Sequence, residues 1–364
     1  MNVRDLPSIW MPPIVAGREE LAEFNKMHGR YRREARQAAK PEACLLCGKP
    51  RTSYCNSHSV PEFCLRRIAV DGKVTTIASA IGTNLVKSEE GIGKAGTFHL
   101  ICNDCDNLFF KGYESSETWS DAPSQRIMGQ IAVKTCLYEL SKAREQIPFH
   151  DALVRDFDSE LSRKKASVRV TDSKDDQRNL ELAYRAATRG IRSFRIVYYN
   201  VLPYVVPIAM QAMVNPIADF EGGLINNLFN HEPSYYIEPL YVCVFPLEAS
   251  SIVLLFRNRR TRRYDAFERQ LKEMPENEVL TSIVKLAFAY SEEVYCSPNV
   301  EHEVMDHPGL VTLARMNIDQ LTLFAIGESR EKAIRNVAQQ GASAYAIRGL
   351  PEVPPLLSAE FALE

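Results

Sequence analysis

The alternation of apolar and polar positions divides the chain into helical and strand-like stretches. Arg18 to Lys40 has few breakers and spaces Leu21, Phe24 and Met27 helically, which predicts an amphipathic helix stopped by Pro41. Ser124 to Ala143 repeats the period with Ile127, Ile131, Val133, Leu137 and Leu140, and Ser124 is placed as N-cap before Gln125. Further helix is expected near Asp151 to Ser162 and Asp176 to Gly190. Phe194 to Tyr199, Tyr235 to Phe245 and Ser251 to Arg257 are β-branched and aromatic, separated by Pro, Gly and Asn clusters, which predicts an antiparallel sheet. Helix returns over Glu278 to Glu293, with Val279, Ile283, Leu286 and Ala287 in register, and over Ser329 to Gln340 before a Pro-rich tail. Cys44 to Trp119 reads as a unit of short strands and turns, and no repeat or heptad run is present, so the expected fold class is α+β. Ile196 to Ala218 is the longest uncharged stretch, but Asn200, Pro203, Pro207, Gln211 and Asn215 interrupt it, and its start reads as strand rather than membrane span.

Composition narrows this picture. The 364 residues are 45% hydrophobic and 25% charged, with 17 Gly, 20 Pro and a net charge of -2, which excludes collagen-like, low-complexity and wholly disordered chains. This length predicts two or three packed units. Met1 to Arg18 carries scattered prolines and early charges and does not read as a secretory signal. Nine cysteines, an odd number, argue against a disulfide framework and for a reducing compartment, with the cytoplasm expected. Lys26, Arg30, Arg32, Arg33, Arg36, Lys40, Lys49 and Arg51 stand against only Glu34 and Glu42, a basic run that suits either a solvated helix face or nucleic-acid contact.

Four cysteines carry the strongest chemical signal. Cys44-Leu-Leu-Cys47 and Cys102-Asn-Asp-Cys105 are C-x2-C pairs separated by 54 residues, with Gly48-Lys49-Pro50 and Asn103-Asp104 as turn residues beside or within them, and this spacing predicts a structural Zn2+ site. Four ordinary buried cysteines, or a redox C-x2-C, are the weaker alternatives. Between the pairs, Tyr54 to Phe63 is extended and runs into Pro61, read as the first residue of a helix. His58 therefore falls at a strand end beside the staple, where an imidazole is either a general base or an ordinary packed side chain.

After the second pair, Cys102-Asn-Asp-Cys105-Asp106-Asn-Leu-Phe-Phe-Lys-Gly-Tyr-Glu114 continues as a helical run with Asp106 on its first turn. These residues resemble the zinc-stapled branch of the HNH endonuclease family, and C-x2-C-G, S-H-x-V-P-E-F and I-C-x2-C-D are similar to a bacterial HNH-like group in which Ser precedes the His. The likeness extends weakly to a late helix around Phe288 to Pro298, but only Cys44 to Glu114 has specific motifs. The resemblance implies a ββα-metal core, His58 as the base that activates water, and Asp106 as ligand of a catalytic Mg2+ or Mn2+, joined by Asn56 or Glu114. It also implies hydrolysis of phosphodiester bonds in DNA and a role in defence against foreign DNA. Three positions depart from the family: Ser57 stands where an acidic residue or His precedes the base, Asp106 where His usually follows the second knuckle, a carboxylate that suits Mg2+ or Mn2+, and Thr97 where the middle Asn would be. Glu114, eight residues past Asp106, is expected two helical turns away. The chain then divides into a basic helix (1–41), the HNH-like zinc unit (42–120), a helical region (121–190), a sheet region (191–265) and a C-terminal helical region (266–364).

Arg257, Arg259, Arg260, Arg262 and Arg263 put five arginines into seven positions at a strand end, a density that suits bidentate phosphate contacts or a charged hairpin tip, and Arg66 and Arg67 follow His58 more closely. The expected partner is DNA, with RNA as the alternative, and no membrane. The same scaffold without turnover, binding nucleic acid or a partner protein, is the second expectation. A helical scaffold whose arginines recognise an anionic protein or ligand is the third. The C-terminal region is left to sensing a target, docking a protein or a second copy, or bracing the nuclease unit.

Overall fold

The computed structural model describes residues 18–77, 88–115, 118–119, 121–230, 232, 234–323 and 342–364. Within them the chain is α+β with antiparallel strands, as the patterning predicts. Helix α1 (Arg18–Ala38) stops just before Pro41. Short elements follow: β1 (Ser57–His58), α2 (Glu62–Ile68), β2 (Lys73–Thr76), β3 (Ser88–Gly91), β4 (Thr97–Phe98) and α3 (Asn103–Phe110). Pro61 sits one position before α2, with ψ of 130°, rather than as its first helical residue.

Two long helices come next, α4 (Gln125–Phe157) and α5 (Glu160–Arg189). Ser124 caps α4 as expected, its Oγ accepting from the Ile127 N–H at 3.3 Å. The break expected between Ala143 and Asp151 does not occur. Pro148 lies inside α4 and forfeits one backbone hydrogen bond, but Phe149, Ala152 and Leu153 just beyond it bury against Tyr31 and Ala35 of α1, and that packing carries the helix through. Asp158, in the left-handed conformation at φ 49°, ends α4, and Ser159 caps α5.

The main sheet has the order β3-β2-β9-β6-β7-β8-β5, built also from β5 (Phe194–Leu202), β6 (Ile208–Val214), β7 (Leu240–Pro246), β8 (Ser251–Asn258) and β9 (Val294–Cys296), with every neighbouring pair antiparallel. The stretch weighed as a membrane span is β5, a turn and β6, and no described helix is long and apolar enough to cross a membrane. One face, with Met210, Val242, Val244 and Leu255, packs on α7 (Glu276–Tyr290) and on α6 (Asp265–Glu273) and α8 (Pro308–Leu323). The other, with Tyr241, Cys243, Phe245 and Leu254, packs on α4 and on Leu65, Phe98 and Phe110 of the cysteine-bearing segment. The late helix expected to run to Pro298 ends at Tyr290, and Val294–Cys296 leaves it to become β9, between β2 and β6. The sheet thus draws strands from three of the five segments read from the sequence. The helix expected over Ser329 to Gln340 lies outside the described residues.

Candidate metal centre and the adjoining His58 site

The four cysteines are brought together by a turn and a helix start. Cys44 donates its backbone N–H to Lys49 O at 3.0 Å and accepts from Gly48 N at 2.8 Å, closing the first knuckle. Cys102 is the N-cap of α3 and Cys105 lies on its first turn. The Sγ atoms of Cys44, Cys47, Cys102 and Cys105 all lie within 4.8 Å of one another, an arrangement that can hold a metal ion. The Cys47 and Cys102 sulfurs are 3.9 Å apart; tetrahedral thiolates on zinc, with Zn–S near 2.3 Å, stand about 3.8 Å apart. Two neighbours favour thiolates: the Lys49 backbone N–H lowers the Cys47 thiol to about 7, and the Cys102 N–H donates to Cys44 Sγ at 3.3 Å.

His58 lies at the end of β1, as expected, paired with Thr97 on β4. The ring is buried, and Nε2 stands 2.8 Å from Ile92 O. A carbonyl only accepts, so Nε2 carries a proton, and in the neutral tautomer the lone pair falls on Nδ1. The loop bearing Ile92 thus does the orienting that Thr97 does not, for Thr97 Oγ1 donates to Lys94 O at 3.1 Å. Gly96, at φ 61°, permits the close seat of this loop, because a Cβ there would come within 2.5 Å of Ser59 Oγ.

Asp106 is the hub of a second cluster. Ser57 Oγ donates to its Oδ1 at 2.5 Å, and Cys55 Sγ donates to Oδ2 at 3.4 Å. Burial, with the Asp106 charge beside it, pushes the Cys55 thiol up to about 12, so it is a neutral donor. The third partner is one that sequence reading missed. Lys134 of α4, its side chain only 2% exposed, places Nζ 3.3 Å from Asp106 Oδ1 and also pairs with Glu114. Its ammonium lies 4.5 Å from the centre of the Phe110 ring. α3 ends at Phe110 and a turn follows, with the Glu114 N–H on Phe110 O at 3.2 Å, and Glu114 meets Asp106 through this lysine rather than sharing a ligand position with it. Burial raises the Glu114 carboxyl, and Lys134 pulls it back. The one signal was a lysine in a core stripe, since Lys134 follows Ile131 by three and precedes Leu137 by three.

The remaining expected residues scatter. Asn56 is exposed, and its amide donates to Gly93 O at 2.8 Å. Arg66 is exposed and pairs with Glu62 at 2.5 Å. Arg67 donates to Glu248 O and Glu364 O. Both line an open groove of about 500 Å³ with Phe63, Glu114 and Leu247. Arg257 is a correction, because it is 1% exposed and held by Glu268, Asp265, Thr261 O and Asn258 O, so no phosphate reaches it. Arg263 lies over the Tyr235 ring and donates to Tyr236 O at 2.9 Å. Arg259, Arg260 and Arg262 are exposed.

Among the described residues, the four cysteines are the only group of three or more His, Cys, Asp or Glu side chains close enough to hold a metal. Comparison with family models, with curated proteins and with solved structures finds no match to this chain.

Proposed function

We propose that this chain is an HNH-like endonuclease that hydrolyses phosphodiester bonds of DNA, with Zn2+ on Cys44, Cys47, Cys102 and Cys105 as its structural staple. A role in defence against foreign DNA follows from the resemblance alone. The observation that carries the reading is His58: it ends a strand beside the staple, and the Ile92 carbonyl fixes its tautomer so that Nδ1 can take a proton from water. Cys44, Cys47, Cys102 and Cys105 would hold a zinc that joins the knuckle to the start of α3, where Asp106 sits, and Ser57 ties Asp106 to β1. Arg66 at the groove and Arg259, Arg260 and Arg262 at the far end of β8 are the arginines left to contact phosphates.

The catalytic Mg2+ or Mn2+ that the resemblance implies does not fit the residues at hand. The groups converging on Asp106 are a hydroxyl, a thiol and an ammonium, all donating to it, and among the described residues no further acidic or His ligand joins Asp106 and Glu114. No step of the proposed hydrolysis is therefore assigned to a cation at Asp106. That same ion pair favours a second reading, a zinc module that binds nucleic acid without cutting it.

A plasmid-cleavage assay separates the two, run with Mg2+, with Mn2+ and with neither, beside His58→Ala protein shown to keep its fold and its zinc. The nuclease reading expects cleavage by the wild type, reduced about 100-fold or more in the variant. Absence of cleavage under every condition, with salt-sensitive DNA binding intact, replaces it with the binding module.

A further inference from the structure

Lys134 occupies a position on α4 that otherwise takes apolar side chains, between the buried residues Val133 and Thr135 and one turn from Ile131 and Leu137. An ammonium is tolerated there only if its charge is matched. Asp106 and Glu114 match it, and the Phe110 ring covers it. Two carboxylates brought together from α3 and the turn after it face a cation contributed by the core of the molecule. A hard divalent ion at this place needs several oxygen ligands and loses affinity beside a fixed positive charge.

We propose that the Lys134 ammonium is the resident cation of the Asp106–Glu114 pair, filling the place that the family likeness gives to Mg2+ or Mn2+, so that the site keeps no divalent ion. The proposal rests on the HNH-like reading for which ion is replaced. Its test does not pass through cleavage. Lys134→Met keeps the length of the side chain and removes the charge, leaving the two carboxylates facing each other.

The probe is Mn2+ alone, titrated into the zinc-loaded full chain and followed by the loss of the free-ion electron paramagnetic resonance signal. The wild type is expected to take up no Mn2+ that depends on Asp106. The K134M protein is expected to bind one ion at least about tenfold more tightly than the wild type, and addition of Asp106→Asn to K134M is expected to remove it. Lys134→Gln, which can still hydrogen-bond, provides the same comparison if K134M does not fold. Stoichiometric Mn2+ on the wild type that is lost in D106N overturns the proposal. So does a folded Lys134 variant that binds no more Mn2+ than the wild type, because the lysine is then only a structural ion-pair partner. Cleavage separates the two failures: a wild type that cuts DNA and binds Mn2+ through Asp106 sinks this inference and leaves the nuclease standing. One that does neither sinks the nuclease and leaves the inference standing.

Discussion

Arg257 and Arg260 stand three positions apart in one run and have opposite surroundings. The first is interior and holds Glu268, Asp265 and two carbonyls; the second is exposed. Arg257→Met is expected to cost about 3–5 kcal/mol in urea unfolding, because it strands buried acceptors. Arg260→Ala is expected to stay within about 0.5 kcal/mol and to change only salt-sensitive DNA binding. Composition could not tell these arginines apart, since what separates them is the acidic face of a helix that begins eight residues later. The cysteines were legible because C-x2-C spacing is a property of neighbours in sequence. Lys134 was not, because its meaning comes from Asp106 and Glu114, which only the fold delivers. His150 gives a pH test. Burial, with Lys165 adding, lowers it to about 4, so between the ordinary value near 6.5 and about 4 the unfolded chain binds more protons than the folded one. Stability contributed by the neutral ring is complete above about 6.5 and is lost as pH falls toward 4. Chemical denaturation at pH 7 and pH 4 is expected to show the wild type losing up to about 3 kcal/mol more than His150→Gln.

Elements were most legible where one face meets water. The Ser124 cap and the period of α4 could be read directly, and Ser124→Ala is expected to cost about 1 kcal/mol. Strands β6 and β7 carry apolar contacts on both faces, so the hydrophobic-polar alternation that marks a half-buried strand is missing, and β6 reads only as an interrupted apolar run. Strand β9 is three residues long and follows a helix directly, too short for any period to register. The α4–α5 crossing depends on Gly129, where an added Cβ would overlap the Ala187 backbone N and lie 2.8 Å from its Cα. Gly129→Ala is therefore expected to destabilise by about 1–3 kcal/mol in thermal or urea melts, although Ala favours helix by about 1 kcal/mol at a free position. The exposed arginines after β8 and the groove lined by Arg66 lie toward opposite ends of β7, a span of roughly 20 Å by strand rise. A nucleic acid touching both must run at least that far along the sheet.

At the scale of the molecule, the described residues of the cysteine-bearing segment share their main core with the sheet and α4. Val60, Leu65, Phe98 and Phe110 belong to the same apolar cluster as Tyr241, Phe245 and Leu254 of the sheet and Ile131 and Leu137 of α4. Residues 42–120 expressed alone with Zn2+ are therefore expected to give collapsed amide dispersion in NMR rather than a folded spectrum, and a well-dispersed spectrum would refute this dependence. The overall class could be read from the sequence, since helical and strand periods are local. The joining of distant segments into one sheet could not, because pairing of Thr75 and Thr76 with Cys296 and Tyr295 leaves no local trace. That pairing also sets an order in time. On the ribosome, β2 emerges early and β6 to β8 follow, but the strand that joins them is made only after α7. At 5–20 residues per second the interval between β2 and β9 is about ten to forty seconds. Once β6 is made, two sheet edges stand open until β9 arrives, and the growing chain is a natural client for chaperones that shield unpaired strands.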